Sequence, residues 1–184
     1  MLKKKLNRKQ NIRLDLVIKR LDEYFGRPFD HRTNPATVLD VLIATKLSQN
    51  TTDKSSFIAY TNLKKKFKTW DRAASADIDQ IKDSIKVCGL ANTKARNIKL
   101  MLQQMKKNYG TLDLIFMNEK EKEKIYAEFL QYEGIGVKTI SCVLIFALGR
   151  DAFPVDTHVH RVLNRLGIVK TMTPVKTFEF MKNI

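Results

Sequence analysis

The stretch Glu133-Gly134-Ile135-Gly136-Val137-Lys138-Thr139-Ile140, "EGIGVKTI", places two glycines between two apolar segments. Residues 138–148, "KTISCVLIFAL", read as a strongly apolar helix, and the segment before the glycines reads as a helix ending near Leu130. A linker of about five residues is a tight corner rather than a wandering loop. Glycine permits positive φ and the close approach of another backbone. The amides heading the second helix then face outward, with the positive end of the helix dipole behind them, and that arrangement suits a phosphate. Ile135 is expected to tuck between the helices and fix the turn. Lys138, on an apolar helix, must either snorkel to water or have a use.

Charge narrows the reading. The 184 residues hold 34 Lys and Arg against 19 Asp and Glu, a net charge of +15. Such an excess favours a polyanionic partner. Together with the corner, it points to a helix-hairpin-helix, a sequence-independent grip on a nucleic-acid backbone; a plain αα-hairpin with glycine caps is the alternative. Apolar residues make up 43%, which allows a buried core in one domain or in two small lobes sharing a cleft. Two cysteines, Cys88 and Cys142, cannot supply a four-cysteine metal or iron–sulfur site. No run approaches the roughly 18 apolar residues of a membrane span, and the basic start lacks the apolar core of a signal peptide. Reduced thiols, a cytoplasmic location and no membrane partner are therefore expected.

Elsewhere the chain reads as nearly all helix. Five of its seven glycines, Gly26, Gly89, Gly110, Gly149 and Gly167, fall where helices should stop, and Pro28, Pro35, Pro154 and Pro174 fall at boundaries. Leu14, Val17, Ile18, Leu21, Tyr24 and Phe25 form a helical stripe. Thr37 to Leu47, "TVLDVLIATKL", reads as a buried helix. Ser75 is expected to open a further helix, Asn92 to cap the next, and Asn118 with Glu121 to form a capping box. Residues 154–167 and 173–184 suggest two more. No hairpin of strands stands out. The lysine clusters at 3–5 and 64–66 read as solvated surface.

Eighteen residues after Lys138, Asp156 lies in "FPVDTHVHRVLNRLG", at a helix start set up by Pro154. It is either a helix-terminal carboxylate that favours the dipole or one side of a cleft facing an amine. The Asp-x-His-x-His spacing invites a metal, but His158 and His160 are two apart and point to different sides of a helix. No metal is expected, and Cys142 reads as core.

"YEGIGVKTISCVLIFALGRDAFPVDTHVHRVLNRLG" resembles the signature of the endonuclease III family of helix-hairpin-helix DNA glycosylases, G-V-G-x-K-T followed by V-D-T-H-x-x-R-x-x-N-R. Gly134, Gly136, Lys138, Thr139, Val155, Asp156, Thr157, His158, Arg161, Asn164 and Arg165 match that pattern. "LIATKLSQNTTDKS" (42–55) and "GLANTKARNIKLM" (89–101) resemble two further family segments, so that residues 35–170 are covered in order. Three departures stand out: Glu133 where the family usually has Pro, Val137 in place of a common basic residue, and an end at Ile184 before the region where many relatives carry four cluster-binding cysteines. The chain is read as a short form without a cluster or as an incomplete gene product.

The resemblance implies an all-α fold with two helical lobes around a DNA-binding cleft. Residues 36–150 would form a helical barrel with the helix-hairpin-helix at about 120–148, and residues 1–35 with 151–184 the second lobe. It implies a monomeric base-excision repair enzyme acting on damaged double-stranded DNA, removing oxidised pyrimidines and processing abasic sites, with no cofactor. Lys138 would attack the sugar as a neutral amine, Asp156 would stabilise the cationic sugar, and strand cleavage would follow by β-elimination. Relatives with another residue at the Lys138 position hydrolyse the bond without cutting. Gln49 or Asn50, with Asn50 preferred, would fill the gap left by the extruded base. The backbone from Gly134 through Ile135, Gly136 and Val137 to Lys138, together with Thr139, would grip phosphate. Lys94 is expected at the DNA face, and His158 and Arg161 in support. The rivals are a glycosylase of the same fold for mismatched or oxidised purine bases and a non-catalytic DNA-binding module.

Overall fold

A computed structural model describes residues 6–26 and 36–182. The lysines at 3–5, Pro28 and Pro35 lie outside these residues. Among the described residues there are ten α-helices, two short 3-10 segments and no strand, an all-α fold. The chain divides into two units, residues 35–150 and residues 1–34 with 151–184.

The central unit is built around α2 (Val38–Ser48), whose Leu39, Leu42, Ile43 and Leu47 are almost wholly buried. The helix starts where Thr37 and Asp40 close a reciprocal capping box: the Thr37 hydroxyl accepts the Asp40 amide at 3.1 Å, and the Asp40 carboxylate accepts the Thr37 amide at 3.2 Å. Around α2 pack α3 (Asp53–Phe67), α6 (Ala91–Tyr109) and α8 (Val137–Phe146). Short α4 (Trp70–Ser75) lies on α6, α5 (Ile78–Ile85) bridges α3 and α6, and α7 (Lys122–Phe129) leads to α8. Leu63, Ile81, Ile98, Leu102, Phe129, Ile140 and Val143 complete the core. Removing one such buried side chain to Ala typically costs about 2–5 kcal/mol.

Asp40 also ties α2 to its neighbours. Its Oδ1 accepts the Tyr60 hydroxyl at 2.8 Å, the Lys64 ammonium at 3.0 Å and the Trp70 indole N–H at 3.2 Å. Burial alone would raise this carboxyl, but the hydrogen bonds from Thr37, Lys64 and Tyr60 outweigh it and hold the group below the ordinary aspartate range.

The terminal unit contains α1 (Arg8–Phe25), α9 (Thr157–Arg165) and α10 (Pro174–Met181). Its small core is Leu6, Leu163, Ile168 and Val169, flanked by Leu14, Val159, Leu166, Phe180 and Met181. Gln10 donates to the Ile168 carbonyl at 2.8 Å and Arg13 donates to that of Leu166, which seats α1.

The five stop glycines all adopt positive φ, between 60° and 77°. Several caps differ from expectation. Ser75 ends α4 rather than opening a helix, and Asp77 heads α5. Asn92 lies inside the first turn of α6, whose cap is Leu90 in the left-handed region. Asn118 belongs to the 3-10 segment Ile115–Glu119, so Glu121, with no side-chain cap bond, heads α7. The stripe on α1 is helical, yet no residue of that helix is buried.

Candidate active site at the glycine corner

Between α7 and α8 the chain turns sharply. The Tyr132 amide donates to the Phe129 carbonyl at 3.2 Å, and the Ile135 amide donates to the Tyr132 carbonyl at 3.1 Å. The Ile135 side chain is buried, so this residue pins the corner from inside, and its amide is already engaged. It is therefore withdrawn as a phosphate contact. The two glycines have different reasons. Gly134 has φ +71°, and a Cβ there would sit 2.7 Å from the Lys46 Nζ. Gly136 is extended (φ −113°, ψ 177°), and a Cβ there would meet nothing within 4 Å, so nothing inside the chain demands a glycine. As the N-cap of α8 it offers no side-chain cap, which leaves the opening amides of Gly136, Val137, Lys138 and Thr139 without intrahelical acceptors. The Thr139 side chain is buried, so only its amide belongs to this face.

Lys138 is the second residue of α8 and half-buried. It lines a largely apolar groove of about 540 Å³ walled by α2, α3 and α8, with Val41, Ala44, Phe57, Tyr60, Cys142 and Phe146 among its lining. Phe57 is 70% exposed, on the side of α3 away from the buried Ala59, Leu63 and Phe67. The volume falls within the ~300–1,000 Å³ of small-molecule sites.

The carboxyl end of α2 approaches the same corner. Lys46, only 2% exposed, donates to the Glu133 carbonyl at 2.8 Å. Burial pushes its ammonium below the ordinary lysine range, and the charge of Glu133 works against that shift. Gln49 donates to the Gly134 carbonyl at 3.4 Å, whereas Asn50 is exposed and left-handed, with φ +53°. Lys94 is corrected: it is 6% exposed, and its ammonium donates to the carbonyls of Leu47 at 2.8 Å and Cys88 at 3.0 Å. It fastens the end of α2 to the turn before α6 and presents nothing to DNA. That turn carries Leu90, left-handed at φ +50° and 59% exposed.

In the terminal unit Asp156 is the N-cap of α9, its Oδ1 accepting the Val159 amide at 2.8 Å. His158 and Arg161 pair on the exposed side of α9, Nδ1 to Nη2 at 3.1 Å. His160 instead joins α9 to α10 through Thr177 at 2.6 Å, and Asn164 binds the Thr171 amide at 2.9 Å. Among the described residues, no three or more His, Cys, Asp or Glu side chains converge as metal ligands, and no helix is long and apolar enough to cross a membrane. Sequence reasoning passed over Lys46, Leu90, Phe57 and Tyr60. For Lys46 the signal was present, a lysine inside "TVLDVLIATKL". For the others it was not, because exposure and left-handed backbone are not written in residue type.

A positively charged chain with a glycine-cornered helix pair, an uncapped helix head and a lysine beside a groove has the features of a helix-hairpin-helix protein that grips a nucleic-acid backbone. The chain belongs to the family described as HhH-GPD superfamily base excision DNA repair protein, which matches residues 43–184, and within it the chain is endonuclease III-like. It is 40% identical to endonuclease III of Sulfolobus acidocaldarius over 134 residues, which is 72% of this chain and 57% of the relative. Its identity to endonuclease III of Thermotoga maritima is 35% over 144 residues, 78% of this chain and 63% of the relative. The fold is similar to that of a non-covalent endonuclease III–DNA complex, with a TM-score of 0.77 at 26% identity over 97% of this chain and 79% of that one. The chain spans 51% to 63% of the length of three curated relatives that it matches.

Proposed function

We propose that the protein is a DNA glycosylase with attached abasic-site lyase activity, acting on oxidised pyrimidines in duplex DNA. The observation that carries this reading is Lys138, held at the head of α8 two residues past the N-cap glycine and lining a base-sized groove. The outward amides of Gly136, Val137 and Lys138 take a backbone phosphate, an affinity that is salt-dependent and poor in sequence content. The chemistry lies at C1′, so the base must leave the stack. Phe57 and Tyr60 give the groove aromatic faces against which it can rest. Asn50 takes the vacated space, since Gln49 is bonded to the corner, and Leu90 serves as an apolar wedge from the neighbouring turn.

The neutral Lys138 amine attacks C1′, the carbon–nitrogen bond to the base breaks, and the base departs with a proton. Ring opening gives a Schiff base; loss of a C2′ proton then expels the 3′ phosphate. Asp156 stabilises the positive charge that develops on the sugar. The pyrimidine assignment rests on the likeness to endonuclease III. Borohydride trapping on abasic-site DNA tests the reading: a covalent adduct is expected, and it should vanish in Lys138→Gln. DNA binding with no adduct would leave only a binding module. Asp156→Asn should slow base release more than binding, and equal loss in both would remove its electrostatic role.

A further inference from the structure

We propose that Lys46 is a positioning residue whose buried ammonium locks the glycine corner to the end of α2, fixing the phosphate grip relative to the Gln49-Asn50 turn. This rests on the DNA-binding reading above. The Lys46 side chain leaves α2 one turn before Asn50 and ends 2.8 Å from the Glu133 carbonyl, one residue before Gly134. Its ammonium occupies the place that a side chain at 134 would need. The missing Cβ and the buried cation are thus two halves of one contact. Gln49 adds a second, longer tie to the Gly134 carbonyl. Lys94 grips the Leu47 carbonyl from the other side and carries the brace to the Cys88 turn that leads to Leu90.

A buried lysine at this place has electrostatic reasons. The last turn of a helix has free carbonyls and the negative end of the dipole, both favourable to a cation. Glu133, where the resemblance expects proline, puts an opposing charge near an ammonium that burial would otherwise discourage. A proline there would supply a stiff corner by covalent geometry; here a hydrogen bond from outside the corner supplies it. Because Lys46 is itself out of reach of solvent, any effect it has on DNA must pass through what it holds.

That last point makes the test specific. Duplex affinity is measured with an uncleavable abasic-site analogue between about 50 and 200 mM salt. Lys46→Met should weaken binding about tenfold and reduce the slope of log Kd against log salt by about one phosphate's worth. Single-turnover strand cleavage at saturating abasic DNA should stay within about threefold of the wild-type rate, since Lys138 and its groove are untouched. Gly134→Ala, which both crowds the ammonium and strains a backbone at φ +71°, should reproduce the loss of affinity and slope, and Lys46→Gln, uncharged and one bond shorter than lysine, reads out the brace even if Lys46→Met does not fold. Wild-type affinity and slope in the variants would overturn the proposal alone. Absence of salt-dependent binding by the wild-type protein would overturn the functional reading and the proposal with it.

Discussion

The two most apolar helices of the central unit, α2 and α8, each carry one lysine, and the two lysines meet opposite fates. Lys46 sits in the last turn of α2, buried, with its ammonium on a backbone carbonyl. Lys138 sits in the first turn of α8, half-exposed, and among the described residues no hydrogen bond or ion pair engages its ammonium. The residue type and the apolar context are shared, so neither decides the outcome. The helix end decides it. At a carboxyl end a cation finds free carbonyls and the favourable end of the dipole; at an amino end it finds only N–H groups. Lys46, at a carboxyl end, is absorbed into the structure, whereas Lys138, at an amino end, keeps its amine available; Lys94, in the first turn of α6, is buried because the carbonyls of Leu47 and Cys88 reach it from other elements.

The largest effect that sharpens this contrast is chemical. Lys138→Gln should lower strand cleavage of abasic-site DNA by a factor on the order of 10³ or more, because the nucleophile is gone and its surroundings are intact. Single-turnover gel assays read this directly. A residual rate within tenfold of wild type would place the nucleophile elsewhere and erase the functional half of the comparison.

Next comes stability, where the order of the two lysines reverses. Lys46→Met should cost about 1–2 kcal/mol, because a part-buried carbonyl loses a charged donor. Lys138→Met should stay within about 0.5 kcal/mol, as partly exposed groups without partners usually do. Urea unfolding of both variants measures the difference, and equal costs would mean that the helix-end argument fails.

These two lysines also show what could be read in advance. The glycine corner, the buried character of "TVLDVLIATKL" and the five glycine stops were legible because each depends on local backbone preference or on a periodic apolar pattern. The fate of Lys94 was not, since its partners Leu47 and Cys88 come together only in the folded core. Asn118 has the residue type and spacing of a cap, but the 3-10 segment over Ile115–Glu119 carries it past the start of α7. Helix α3 escaped notice because small Ser56 and Ala59 share its buried face with Leu63 and Phe67, which blurs the stripe. Lys138 was found through its motif; that it lines a groove with Phe57 and Tyr60 required the fold.

The amino ends of the two helices differ as well, and pH probes the difference. Asp40 in the first turn of α2 has a carboxyl held below its ordinary range. A carboxylate depressed in the folded state contributes stability that is present above its unfolded pKa of about 3.9 and is lost as pH falls through the lower folded value. Wild-type protein should therefore lose stability through this acid window, and Asp40→Asn, already weaker at neutral pH, should lose less across it. Urea midpoints from pH 6 down to 3 measure the slopes. Identical slopes would show that the carboxylate is not coupled to folding.

The smallest effect concerns the head of α8, which has the cap site but no capping side chain. Gly136 is extended and its Cβ position is open, so Gly136→Ser introduces no clash and supplies the hydroxyl that helix starts favour. The expected gain is a few tenths of a kcal/mol, near the resolution of careful thermal melts. The same hydroxyl would occupy one of the outward amides and crowd the approach of a phosphate, so duplex affinity should fall while stability rises. An increase in both would mean that the bare helix head has no part in holding DNA. A loss of affinity against a gain in stability would show that α8 is left uncapped because its amides are kept for a ligand, the reverse of α2, where Thr37 and Asp40 close the helix for the fold alone.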